Sequence, residues 1–225
     1  MFAVREFQEP RRHLDDRLER STKHWLIYRR NNRYRESDVV EQLTWLLLSY
    51  KVPSEPSSKR VAIWRKIRGL GAVYLQNGVC VLPNTDAYQR QLKIIQNDIL
   101  SIGGEAALLD TAGFDKQDAD TIVAHFNAAR NAEYEEFLEK CQAYVAEIHD
   151  EIAVQHFTYA ELQENDEDLK KLRHWLNKIT TVDFYGAPLR AQAEQEFAVC
   201  QQVLEAFTHH VFDAEVRPDG ANLRD

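Results

Sequence analysis

Within the ten residues from Lys59 to Arg68 the chain carries five cationic side chains: Lys59, Arg60, Arg65, Lys66 and Arg68. On a helix, Val61, Trp64, Ile67 and Leu70 form an apolar stripe and the cations fill most of the remaining surface. Such a face binds phosphates with a salt-dependent, largely sequence-independent affinity. Its plainer role is a solvated surface that balances acidic charge elsewhere. A second constellation is Phe126, Asn127, Arg130 and Tyr134. Asn127 and Arg130 share a helix face, as do Arg130 and Tyr134. Arg130 can hold an oxyanion through charge-assisted hydrogen bonds while Asn127 donates another. The competing role for Arg130 is structural, bridging its helix to a buried carboxylate of a neighbouring sheet. A third group, Asp183-Phe184-Tyr185-Gly186, reads as a helix–helix corner in which Asp183 caps, the aromatics plug and Gly186 turns the chain.

Other chemistries find no residue set. His209 and His210 are adjacent and point apart, and His149 and His156 lack further ligands at zinc spacing. No Ser-His-Asp or Cys-His arrangement is readable. Gly69-x-Gly71 lies at a helix end, whereas a phosphate loop opens a helix. The expectation is therefore a non-enzymatic protein with no catalytic residue, metal or cofactor. Cys80, Cys141 and Cys200 are odd in number and sit in apolar contexts, as free thiols of a reducing cytoplasm do. No apolar run approaches the roughly 20 residues of a membrane span, and the arginine-rich start is unlike a secretory signal.

The net charge of −8 conceals a division. Residues 1–75 hold 16 Lys/Arg against 9 Asp/Glu, a balance of +7, and residues 76–225 hold 12 against 27, a balance of −15. A basic front suits either a polyanionic partner or docking on its own acidic body.

These residues need elements to hold them. Residues 1–42 read as a basic arm, with Arg29, Arg30, Arg33 and Arg35 interleaved with Tyr28 and Tyr34. Thr44–Tyr50 is a strand apolar on both faces, so both should be covered. Ser57 or Ser58 caps the basic helix, which Gly71 ends. Asn77-Gly78 predicts a two-residue type I′ hairpin turn, pairing Leu75 with Cys80, Val73 with Leu82, Tyr74 with Val81 and Gln76 with Val79. In that register Trp64, Ile67, Val73, Leu75 and Leu82 are core positions. Asn84 or Thr85 caps a helix striped by Tyr88, Leu92, Ile95 and Ile99, and Glu105–Asp110 is the last strand. The succession predicts an α+β fold: a ferredoxin-like βαββαβ domain over 43–112, then a three-helix antiparallel segment over 113–216, then a flexible tail over 217–225. Thr158-x-x-Glu161 is a capping box. Ala193, Phe197, Cys200, Leu204, Phe207 and Val211 recur every three or four residues along the last helix.

The run from Thr44 to Leu109 resembles the N-terminal domain of ChrB-type chromate-resistance regulators. The pieces that match are Trp45-Leu46-Leu47-Leu48, Val61-Ala62-Ile63-Trp64-Arg65, Leu70-Gly71-Ala72, Asn77-Gly78-Val79, Leu82-Pro83 and Gly103-Gly104-Glu105-Ala106. The resemblance continues through Phe126-Asn127-Ala128-Ala129-Arg130, Glu133-Tyr134, Leu172-Arg173-x-Trp175-Leu176 and Asp183–Pro188, so that it covers roughly residues 43–212. It implies a cytoplasmic, chromate-responsive regulator that binds DNA. Full-length relatives carry a further C-terminal domain implicated in sensing, for which this chain leaves no room, so a regulator without its own sensor domain is expected. The βαββαβ half also resembles small metal-dependent CRISPR nucleases in shape, but Tyr50-Lys51 stands where an acidic metal ligand would be needed.

The leading expectation is thus a DNA-associated transcriptional regulator linked to chromate (oxyanion) resistance. Lys59, Arg60, Arg65, Lys66 and Arg68 would contact DNA, and Asn127 and Arg130 would form a weak oxyanion site. The alternative is a protein–protein adaptor or dimerisation module using the second sheet face or the Ala193–Val211 helix. The partners expected are DNA, a second copy of the chain and a separate sensor protein, with no membrane.

Overall fold

The computed structural model describes residues 43–216. The basic arm and the tail expected at either end lie outside the described residues. Four strands, β1 (Thr44–Lys51), β2 (Val73–Gln76), β3 (Val79–Pro83) and β4 (Glu105–Ala112), alternate with helices α1 (Ser57–Gly69) and α2 (Asp86–Ser101). Three further helices follow: α3 (Lys116–Ala153), α4 (Tyr159–Thr181) and α5 (Arg190–Val216). The fold is thus α+β, with five helices among the described residues, two interleaved with the strands and three beyond them. The sheet runs β2-β3-β1-β4 with every neighbour antiparallel. β1 and β2 therefore run parallel, with β3 between them.

Both faces of β1 are covered, as its composition requires. Leu46 and Leu48 pack with Ile63 and Ile67 of α1 and with Leu92, Ile95 and Ile99 of α2. Trp45 packs on the opposite side with Val73, Val81 and Phe126 of α3. The second sheet face is thus closed by this chain's own α3 over β1, β3 and β2. Leu109, on β4 at the edge, is still 54% exposed.

Two local expectations are corrected. Asn77-Gly78 does connect β2 to β3, but Gly78 alone of the two takes a positive φ, 74°. The turn is therefore not type I′, which needs positive φ at both positions. Gln76 pairs with Val79, and a bulge then shifts the register so that Tyr74 meets Cys80 and Val73 meets Val81. The extra residue is Leu75, which is exposed rather than in the core. The bulge turns Tyr74 toward the α1/α2 face, where its hydroxyl meets that of Tyr50 at 2.8 Å. The second correction concerns α1. Its N-cap is Pro56, with no side-chain cap from Ser57 or Ser58. Only Ile63 and Ile67 are buried, while Trp64 is 44% exposed and Val61 is exposed too. The helix lies on the sheet along a seam two residues wide, rotated from the stripe that the apolar residues suggested.

Three other helix starts carry side-chain caps. The Thr85 hydroxyl accepts from the Tyr88 N–H, Asp115 from Asp118 and Thr158 from Glu161. At 38 residues, α3 is about 57 Å long at 1.5 Å per residue. Its first half packs on the sheet through Phe126, and its second half enters a helical core through Phe137, Cys141, Tyr144 and Ile148. Leu169, Leu172, Leu176 and Ile179 of α4 complete that core with Ala193, Phe197, Cys200, Leu204, Phe207 and Val211 of α5. The Tyr144 hydroxyl donates to the Asn165 carbonyl near the start of α4, and the Tyr134 hydroxyl to Asp183 just past its end. α4 therefore runs antiparallel to α3.

The corner after α4 bolts the two cores together. The Asp183 carboxylate accepts from the Ala187 N–H at 2.9 Å and from Tyr134, while Arg190 Nη1 lies 3.8 Å away. The Phe184 ring stands edge-on to Tyr88 of α2 and to Phe126 of α3. Trp45 Nε1 donates to the Tyr185 hydroxyl at 2.8 Å. Gly186 takes φ +70°, completing the turn assigned to it.

Candidate functional site

Because α1 buries only Ile63 and Ile67, the rest of its surface faces outward, and Lys59, Arg60, Arg65, Lys66 and Arg68 are all exposed on it. The five are not equivalent. Lys66 Nζ holds Asp98 of α2 at 2.7 Å, so part of its charge is spent within the fold. The Arg68 guanidinium lies over the Trp64 ring, 5.1 Å from its centroid. Trp64 is thus an exposed aromatic set among cations, a role that the apolar stripe concealed. The sequence held a second stripe, Ile63 and Ile67 four apart, but nothing in it says which of the two stripes is buried.

Two hollows flank Trp64. One, of about 340 Å³, is lined by Tyr50, Val52, Arg60, Val61, Trp64 and Gly78. The Tyr50 and Tyr74 hydroxyls behind it are held above the ordinary tyrosine range, chiefly by burial. Burial likewise pushes the neighbouring Cys80 thiol up to about 12, which disfavours the thiolate. The other hollow, of about 410 Å³, lies between α1, α3 and α4, and brings Arg65 and Arg68 together with Arg130 and Lys178.

Arg130 is 5% exposed. No carboxylate of the sheet meets it, contrary to the bridging role considered from sequence. Its ion pair is with Glu133, one turn along its own helix, at 3.1 Å. Among the described residues its Nε has no hydrogen-bond partner, and the Asn127 Oδ1 is equally buried and unpartnered. Of the two, Arg130 lines the 410 Å³ hollow and Asn127 does not. What joins Arg130 there is the basic helix α1, some 60 residues earlier in the chain. Among the described residues no group of three or more His, Cys, Asp or Glu is placed to hold a metal ion, and no helix is long and apolar enough to cross a membrane.

The model of the family described as Protein ChrB, N-terminal, matches residues 60–218, from the cationic helix to the end of the helical bundle. The chain belongs to this family. The ChrB N-terminal match takes in Arg60, Arg65, Lys66, Arg68, Asn127 and Arg130, though not Lys59. A Protein ChrB of Cupriavidus metallidurans is 32% identical over 97 residues, which is 43% of this chain and 29% of that protein. The matched segment thus spans less than a third of that ChrB relative's length. No solved structure matches the chain.

Proposed function

We propose that the chain is a non-enzymatic, DNA-associated transcriptional regulator of chromate resistance that acts in the cytoplasm, with α1 facing the phosphate backbone. The observation that carries this reading is the outward face of α1. Lys59, Arg60, Arg65 and Arg68 are exposed and make no ion pair among the described residues, on a helix fixed to the sheet by two isoleucines. Cations held on a rigid helix position a duplex through its phosphates and carry little sequence information by themselves. Family membership supplies the link to chromate. Sensing is left in this reading to a further domain or a separate protein.

Of the two surfaces that the adaptor alternative would use, the Ala193–Val211 helix has Ala193, Phe197, Cys200, Leu204, Phe207 and Val211 buried inside the chain's own bundle, and α3 packs on the second sheet face. A gel-shift titration across salt tests the DNA reading. Replacing Arg60, Arg65 and Arg68 with alanine should weaken binding and flatten the log–log salt slope by roughly 0.9 for each phosphate no longer neutralised. The absence of a shifted band even at low salt refutes it, as does a triple variant that binds like the parent.

A further inference from the structure

We propose that the cleft between α1, α3 and α4 binds a phosphate monoester of nucleotide size, with Arg130 as the buried anchor for the phosphate. A guanidinium offers five N–H donors in a fixed fork. In Arg130 one arm meets Glu133, while Nε is buried with no acceptor among the described residues. A donor in that state is disfavoured unless something accepts from it, and Arg130 borders an open hollow, so a turn of its guanidinium toward that hollow would meet an acceptor bound there. The surrounding charge fits an anion. Arg65, Arg68, Arg130 and Lys178 line the cleft against Glu133 and Glu136, four cations to two anions. The surplus of two matches the charge of a phosphate monoester near neutral pH.

The size and walls of the cleft point beyond a bare ion. Its volume of about 410 Å³ falls in the range of small-molecule sites and equals roughly fourteen waters at about 30 Å³ each. Trp64 and Trp175 both line it. Trp175 is fixed edge-on to Phe137, with ring centroids 5.6 Å apart, and Trp64 is steadied by Arg68. A rigid indole offers a stacking surface that accepts any flat base. Phosphate anchor and aromatic walls together select an aromatic ring joined to a phosphate, which is the chemistry of a nucleoside monophosphate.

The inference does not depend on DNA binding by α1, because Arg130 and Lys178 belong to α3 and α4. Calorimetric titration of the full chain with AMP, inorganic phosphate and adenosine tests it. AMP should bind at least about tenfold tighter than either fragment and quench tryptophan emission. Arg130→Gln and Lys178→Ala should each weaken AMP by about ten- to a hundredfold, as the loss of a charge-assisted hydrogen bond does, and leave the DNA gel shift as it was. Lys178 is exposed, so its variant decides the matter if Arg130→Gln does not fold. The proposal is overturned if AMP gives neither heat nor quenching at millimolar concentration. It is overturned equally if phosphate alone binds as well as AMP, or if Lys178→Ala titrates like the parent.

Discussion

Asp183→Ala is expected to unfasten the corner that joins the helical core to the sheet. The Asp183 side chain is almost wholly buried and accepts from two buried donors, the Ala187 N–H at 2.9 Å and the Tyr134 O–H at 3.1 Å. A hydrogen bond to a charged group contributes about 1.5–3 kcal/mol, and a buried donor left unpaired costs about 1–3 kcal/mol. Arg190 adds little, since it is 41% exposed and 3.8 Å away. Losing both acceptor sites should therefore cost about 3–5 kcal/mol, a large part of a typical 5–15 kcal/mol. Urea unfolding followed by circular dichroism measures it, and the melting temperature should fall by roughly 10 °C for a chain of this size. Tyr134→Phe should cost less, about 1.5–3 kcal/mol, because Asp183 keeps the Ala187 N–H. After Asp183→Ala the hydroxyl has no acceptor, so the two losses should not add. A cost below about 1 kcal/mol for Asp183→Ala, or strict additivity with Tyr134→Phe, would refute the reasoning.

Two further outcomes follow from packing. Gly71→Ala should destabilise by about 2 kcal/mol, because φ is +81° there and a Cβ would stand 2.6 Å from Val182 Cβ; adding Val182→Ala should recover part of the loss in the same urea assay. Trp64→Ala should change stability by no more than about 1 kcal/mol, the value of an exposed cation–π contact, whereas Ile67→Ala should cost about 2–5 kcal/mol as a core truncation. Equal losses at the two positions would restore Trp64 to the core.

Much of the fold was legible because it depends on local periodicity. In the stripe of α2, Leu92, Ile95 and Ile99 are buried and Tyr88 half-buried, and that of α5 (Ala193 through Val211) is buried as spaced. The caps Thr85 and Thr158 and the corner at Asp183 act as their residue types indicate. α1 misled because its apolar residues admit two stripes, Val61-Trp64-Ile67 and Ile63-Ile67. Only the position of the helix on the sheet selects the second. The hairpin register misled because a bulge at Leu75 leaves no mark in an alternating sequence.

The sequence by itself determined that α1 is basic, that both faces of β1 are apolar, that three long helices follow the sheet, and that the chain resembles one family. These properties reside in residue types and short spacings. Tertiary structure alone decided that Trp64 stands outside, that Lys66 is engaged by Asp98, and that Arg130 meets α1 across a cleft while its Nε has no acceptor among the described residues. The physical reason is separation along the chain. Arg65, Arg130 and Lys178 become neighbours only because α3 is long enough to reach from the sheet into the helical core, and no local pattern encodes that reach.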